Sequence, residues 1–336
     1  MNDKVITSYK AFDKNMQCHD FQFEVGKEYE MDGEIECGKR GFHACKNPLE
    51  LWDYYKMLKS RFAEVEQSGK IDKDEKSTKV CSSHIKIKAE LKLADIINIG
   101  IEWLKNVTSP SKYKKDGVLD DSGHYAQIGS CDHCAQIGSS GDYAQIGSSG
   151  DYAQIGSSGD YAKIGSSGDY AKIGSCGLCT QIGSSGDCAQ IGSSGDYAQI
   201  GSCGDYAKIG SCGLCTHIGS SGHCAQIGSS GDYAKIGSCG DCAKIGSCGD
   251  CAKISSSGDC AQIDSIGGDS VIMCAGNNSR VKATVGSWIT LAEWVWNDEK
   301  KRNVPICVKT EYVDGERIKT DTWYKLENGA FVEVGK

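Results

Sequence analysis

The sequence predicts a mostly β protein. Its middle reads as a nonapeptide β-solenoid with two repeats, about 18 residues, per coil. An N-terminal α+β domain and a small C-terminal β cap flank it. Two observations carry this reading. Ile recurs at every ninth position from 128 to 263, and Ile272 and Val281 continue the phase. Between the isoleucines stand turn-forming letters, as in GSSGDYAQI, where Gly accepts unusual backbone angles and Ser and Asp bond nearby backbone. A Gly/Ser-rich tract is otherwise a candidate for disorder. A flexible linker, however, has no use for an aliphatic residue at a fixed phase.

Four segments follow. Residues 1–108 form the α+β domain, 109–122 a linker (Pro110, Gly117 and a charge cluster), 123–284 the solenoid and 285–336 the cap. In the first, alternating apolar letters in FQFEV, RFAEVEQ and SHIKIKAEL predict strands. Asn47, Pro48 and Glu50 form a helix start signal ahead of Leu51, Tyr54, Tyr55 and Leu58. A second helix is expected over Ala94–Lys105, with Ile96, Ile97, Ile101 and Leu104 inward. The last segment predicts strands and a hairpin turning at Asp314-Gly315.

Within a repeat, Tyr-Ala-Gln-Ile alternates and is read as the strand, with Ile and Ala inward and Tyr and Gln outward. The remaining Gly-Ser-Ser-Gly-Asp is read as the turn. Parallel stacking about 4.8 Å apart then pairs each coil with the next, giving a rod on the order of 40 Å long. The ends need protection, and the flanking segments are the natural caps. The Tyr position holds Tyr in eight units and Cys in eight; Cys224, Cys242 and Cys260 are 18 apart and should stack directly.

An outward stripe of Tyr143, Tyr152, Tyr161, Tyr170, Tyr197, Tyr206 and Tyr233, with Lys163 and Lys172 beside it, is the expected binding face. The plainer alternative is a ladder packed on itself. Cys-x-x-Cys recurs, at Cys176/Cys179, Cys212/Cys215 and Cys239/Cys242 among others, and would elsewhere suggest zinc or redox chemistry. Here drift of Ser and Tyr to Cys produces the same pattern. Residues 176–211 closely match 212–247, so a duplicated block carried its cysteines along. The repeated Asp raises calcium binding, but turn formation accounts for it more simply.

With Lys+Arg 37 against Asp+Glu 45 and a net charge of −8, a general nucleic-acid binder is disfavoured. Nucleic-acid mimicry by the Asp rows is diluted by lysines, and the flat Thr rows that suit ice binding are missing. No secretory leader or long apolar run is read, so a cytoplasmic setting with the 20 Cys reduced is expected. If the first domain is an enzyme, His43, Cys45, Glu64 and Glu66 are its candidate catalytic residues; Cys18, Cys37, Cys81 and His84 are other reactive groups there. None of the common nucleotide, hydrolase or zinc-protease motifs is present. No cofactor is expected.

The stretches SYKAFDKNMQC, FQFEVGKEYE, GFHACKNPLELWDYY, RFAEVEQSGKI and IKIKAEL resemble a domain of unknown function from bacteriophages and gut and anaerobic bacteria. In that family nonapeptide arrays of the type NTGDYSAAT often follow, then a terminal segment similar to GSWITLAEW and DTWYKLENGAFVEV here. The resemblance implies the architecture and a phage or mobile-element setting, and it carries no activity. In this chain Ile replaces the family's small Ala and Cys is frequent. The combined expectation is a non-enzymatic interaction protein with a protein partner, a host macromolecule such as a defence component. An enzyme with the solenoid as spacer and a metal-loaded (Zn or Ca) scaffold are the competing classes. Self-association is left open.

Overall fold

The computed structural model describes residues 5–19, 21–74, 77–107, 118–120 and 123–335. They divide into two compact units, 1–100 and 101–336.

In the first unit, antiparallel strands close on themselves. Ile6–Phe12 pairs with both Phe42–Cys45 and Arg61–Lys73. Lys79–Leu91 joins those two in turn, with Glu28–Glu30 added at its side. Phe12, Phe23, Phe42, Val65, Ile85 and Ile87 fill the interior. Two sequence expectations change here. FQFEV yields only the short strand Phe21–Gln22. The helix begun at Asn47 lasts one 3-10 turn (Pro48–Glu50) and one α turn (Leu51–Tyr54). Asn47 does cap it, accepting from Leu49 N at 3.1 Å. Glu50 does not reach back to the cap; it accepts from Thr78 N and Oγ1 instead. The second helix runs Leu93–Val107 and so carries the chain from the first unit into the second, with Ile96, Ile97, Ile101 and Leu104 fully buried as expected.

The second unit is the solenoid. Each strand pairs in parallel with the one 18 residues on, Ile146 on Ile164 and Ile137 on Ile155, so one coil is two nonapeptides. Two sheets result. Strands from Gln127–Ser130 to Val271–Cys274 build the first; strands from Gln136–Ser139 to Arg280–Ala283 build the second. Of the expected linker, only Val118–Asp120 lies among the described residues, and it forms a strand against Gln136–Gly138.

The strand phase differs from the sequence expectation. The strand is Gln-Ile-Gly-Ser, not Tyr-Ala-Gln-Ile, so Gly and the first Ser belong to the strand. The Tyr or Cys sits in the turn with φ between 53° and 63° in all sixteen units. Its exposure comes from a left-handed corner, not from strand alternation. Ala, Ile and the strand Ser point inward and are buried.

The turn glycine is the residue the stack cannot vary. A Cβ on Gly195 would stand 1.8 Å from the Gly177 carbonyl oxygen of the coil below. The same collision recurs from Gly150 to Gly276. Asp132, in the first coil, is the one departure in this row of the repeat.

At the far end, Trp288–Asn297 adds in parallel to Val271–Cys274 and then pairs antiparallel with Arg302–Tyr312. The hairpin turns at residues 298–301 rather than at Asp314-Gly315, where Asp314 Oδ1 instead accepts three backbone N–H groups. Tyr324–Glu327 and Ala330–Glu333 close the other sheet. Reversing direction in this way ends both parallel stacks and supplies Ile289, Leu291, Val313 and Leu326 to the core.

Inside the rod, the hydroxyls of the strand serines from Ser148 to Ser265, Ser157 and Ser193 among them, are buried without a hydrogen-bond partner. Ser193→Ala should therefore raise stability by about 1 kcal/mol. Gly195→Ala should lower it by about 2–3 kcal/mol through the carbonyl collision. Denaturant midpoints of the three proteins check both signs.

Candidate interaction surface

Two turns per coil set up two edge rows. One contains Tyr125, Tyr143 and Tyr161, stacked with ring centroids 5.1 and 5.0 Å apart, and continues to Tyr197 and Tyr233. The other contains Tyr152 and Tyr170, 5.0 Å apart, then Tyr206. The expected single tyrosine stripe is thus split between two edges, because alternate repeats turn at opposite sides of the coil. Lys163 and Lys172 likewise fall on different sheets. Lys172 Nζ lies 5.4 Å from the centre of the Trp103 ring, a cation–π contact.

Where Asp precedes the Tyr or Cys, its carboxylate joins coils. Asp142 Oδ1 accepts from Asp160 N at 2.9 Å, and Asp205 Oδ1 accepts from His223 N at 2.7 Å, each across one coil. The turn role expected for Asp is not the observed one: its partner is the backbone one coil up. Leu178 and Leu214 receive this bond from Asp160 and Asp196 but have no carboxylate to pass on.

The two sheets differ outside, although one nonapeptide builds both. On the second sheet the strand glycines are buried, and a Cβ on Gly192 would lie 2.9 Å from Leu104 Cδ1 and 3.6 Å from Ile101 Cα. On the first sheet Gly129, Gly147, Gly165, Gly183, Gly201 and Gly219 meet nothing within 4 Å. Their row floors an open groove of about 1550 Å³. Its wall is the row Gln145, Lys163, Gln181, Gln199, His217 and Lys235, donors and cations along successive strands. That row runs on into Val271, then Trp288 and Tyr312, whose rings are 5.1 Å apart and which are all exposed. Amide and amine donors therefore lead to an aromatic pad on one face. The sequence held a signal for it: the strand Gly persists through fourteen units before Ser255, although glycine weakens a strand.

The Cys-x-x-Cys members belong to different stacked rows. Cys176 and Cys239 donate to Ser157 and Ser220 carbonyls one coil back, both at 3.8 Å, and Cys212 N donates to Ser193 O. Cys179, Cys215 and Cys242 occupy the left-handed corner. Among the described residues, no group of three or more His, Cys, Asp or Glu side chains is placed to hold a metal ion. No helix there is long and apolar enough to cross a membrane.

The candidate catalytic residues of the first unit are engaged separately. His43 Nε2 accepts from Gly38 N at 2.9 Å, and burial, then Lys10, pushes the ring below its usual range. Burial pushes the Cys45 thiol up to about 12. Glu66 pairs with Lys88 at 2.7 Å, and Glu64 lies across from Tyr9. Lys10 is a buried residue the sequence reading missed. Its ammonium, held down by burial, donates to His43 O at 2.9 Å and approaches Cys18 Sγ at 3.5 Å. Cys37 N donates to Asp72, Cys81 Sγ to Arg40 O, and His84 Nδ1 meets Ser68.

A family model described as a domain of unknown function, DUF7666, matches residues 6–99. No curated protein and no solved structure matches the chain.

Two outcomes are expected. Asp205→Ala removes the bond to His223 N and should cost about 1 kcal/mol, read as a lowered denaturant midpoint. The Cys45 and Cys81 thiols, both pushed up to about 12, remain protonated at pH 8. Peptide mapping after iodoacetamide treatment of the native protein should find both unmodified and the exposed Cys131 and Cys203 alkylated.

Proposed function

We propose that this chain is a non-enzymatic scaffold that docks a partner protein on the outer face of the first sheet. The observation that carries the reading is the contrast between the two faces. The same glycine row is packed by Ile101 and Leu104 at Gly192 on one sheet and left open along the other. What fits one row indicates what fits its twin. The partner then presents an amphipathic helix with branched aliphatic residues one turn apart, and carboxylates to meet Lys163, Lys235 and Lys253. The pad of Val271, Trp288 and Tyr312 supplies the aromatic anchors that dominate binding energy in such contacts. Rigidity helps as well, since a preformed sheet loses little conformational freedom on binding.

The phage or mobile-element setting implied by the resemblance leads to the finer proposal. The partner is a host protein, such as a component of an antiviral defence, and this chain acts by occupying it.

The peptide LADIINIGIEWLKNV, which is the chain's own Leu93–Val107 segment, is the first probe. Labelled with a fluorophore, it should bind the full-length chain saturably. A Gly183→Leu/Gly201→Leu variant fills the groove where no atom stands within 4 Å, so its fold is retained. Its affinity for the peptide should fall at least tenfold. Unsaturable binding, or equal binding by both proteins, would overturn the proposal. A host-lysate protein captured by the native chain and missed by the variant would then be the ligand of this face.

A further inference from the structure

The corner rows carry eight cysteines, and their neighbours along the rod differ. Cys179 stands between Tyr161 and Tyr197, and Cys215 between Tyr197 and Tyr233. Cys188 stands between Tyr170 and Tyr206. In the rows just before the turns, Cys203 and Cys239 are separated by Ser221, and Cys176, Cys212 and Cys248 by Ser194 and Ser230. Three cysteines alone occupy consecutive coils: Cys224, Cys242 and Cys260, with φ of 56°, 58° and 57°. Equal φ values and in-register coils set the three corners in one row, and the Cys242 thiol lies within side-chain hydrogen-bonding reach of both Cys224 and Cys260.

The spacing selects the chemistry. Stacked tyrosine ring centres in these corner rows stand 5.0 Å apart, close to the roughly 4.8 Å spacing of paired strands that repeats from coil to coil. A disulfide needs its two Cβ atoms within roughly 3.5–4.5 Å, so parallel thiols at this rise are too far apart to join directly. A single atom between them suits the gap. Two metal–thiolate bonds of about 2.3 Å laid end to end span about 4.6 Å. Thiols in a line meet an ion from opposite sides rather than surrounding it. That favours a soft monovalent cation with two-coordinate linear geometry over a tetrahedral or octahedral one.

We infer that Cys224, Cys242 and Cys260 form a linear thiol ladder that binds a soft monovalent d10 cation, Cu(I) or Ag(I), between Cys242 and one of its two neighbours at a time. Binding in one gap replaces two S–H bonds by two S–metal bonds and releases two protons to solvent. No electron is transferred. Cys242 is the shared ligand, since it borders both gaps. At the end of the ladder the Asn278 amide donates to Cys260 Sγ at 3.9 Å, a bond that strengthens when the sulfur is a thiolate. In the closely matching upstream block, the place of Cys242 is taken by Tyr206, and no ladder exists there. The inference is independent of the docking reading, because it concerns the edge of the coil and not the sheet face.

The test uses the full-length reduced protein in chloride-free buffer, silver nitrate as the probe, and glutathione in excess to strip singly coordinated ions. Native mass spectrometry counts the silver retained. The native chain should keep about one ion more than Cys242→Ser. Cys215→Ser, a lone corner thiol, should match the native count. Tyr206→Cys, which links Cys188 to the ladder, should increase it. Equal retention by the native chain and Cys242→Ser would overturn the inference, as would retention of no silver by either. A loss in Cys215→Ser as large as in Cys242→Ser would overturn it too, assigning binding to the Cys-x-x-Cys turns.

Discussion

Register between coils is the constraint on which the rest of the solenoid depends. Each turn glycine lies so close to the carbonyl of the coil beneath that no side chain fits between them. That contact holds successive coils at hydrogen-bonding distance. Gln145 N then reaches Ala126 O at 2.8 Å, Tyr143 N reaches Asp160 O at 2.8 Å, and the Asp carboxylates add a side-chain rail beside the backbone one. A thin core of Ala and Ile suffices because every coil is bonded above and below along its whole perimeter. The left-handed corners cost of order 1 kcal/mol each for residues as bulky as Tyr. They persist because the stack fixes the backbone on both sides of them.

Much of this was legible. A period of nine with Ile inward, two repeats per coil, the stacking of Cys224 on Cys242 and Cys260, and the second helix all follow from spacing and polarity. The strand phase was not. Tyr-Ala-Gln-Ile and Gln-Ile-Gly-Ser both place Ile inside, and glycine's poor strand propensity argues for the wrong one. Nor does a bulky residue announce a left-handed corner. Only at the decaying end, where Asp269 and Asn278 take that position, do the letters match the conformation.

The asymmetry between the two faces was illegible for a different reason. A nonapeptide repeated without distinction cannot say which of its copies will be covered, since the cover at Gly192 comes from Ile101 and Leu104, outside the array. The same reasoning applies to the first unit. His43, Cys45 and Glu66 look reactive as letters. In the fold, Gly38 N donates to His43, burial raises the Cys45 thiol, and Glu66 pairs with Lys88, environments no letter announces. Lys10 looks ordinary as a letter and is buried among aromatic rings.

The two-repeat coil also sets a quantum for growth. The block 212–247 differs from 176–211 at only four places, Gln181/His217, Asp187/His223, Gln199/Lys235 and Tyr206/Cys242, and 36 residues is two complete circuits. Insertion or loss of whole circuits lengthens or shortens the rod while every later strand keeps its side. A single nonapeptide gained or lost, though it reads as one perfect unit, would exchange the sides of everything downstream and present the terminal hairpin to the wrong sheet. Lineages of such chains should therefore vary in length by even numbers of repeats.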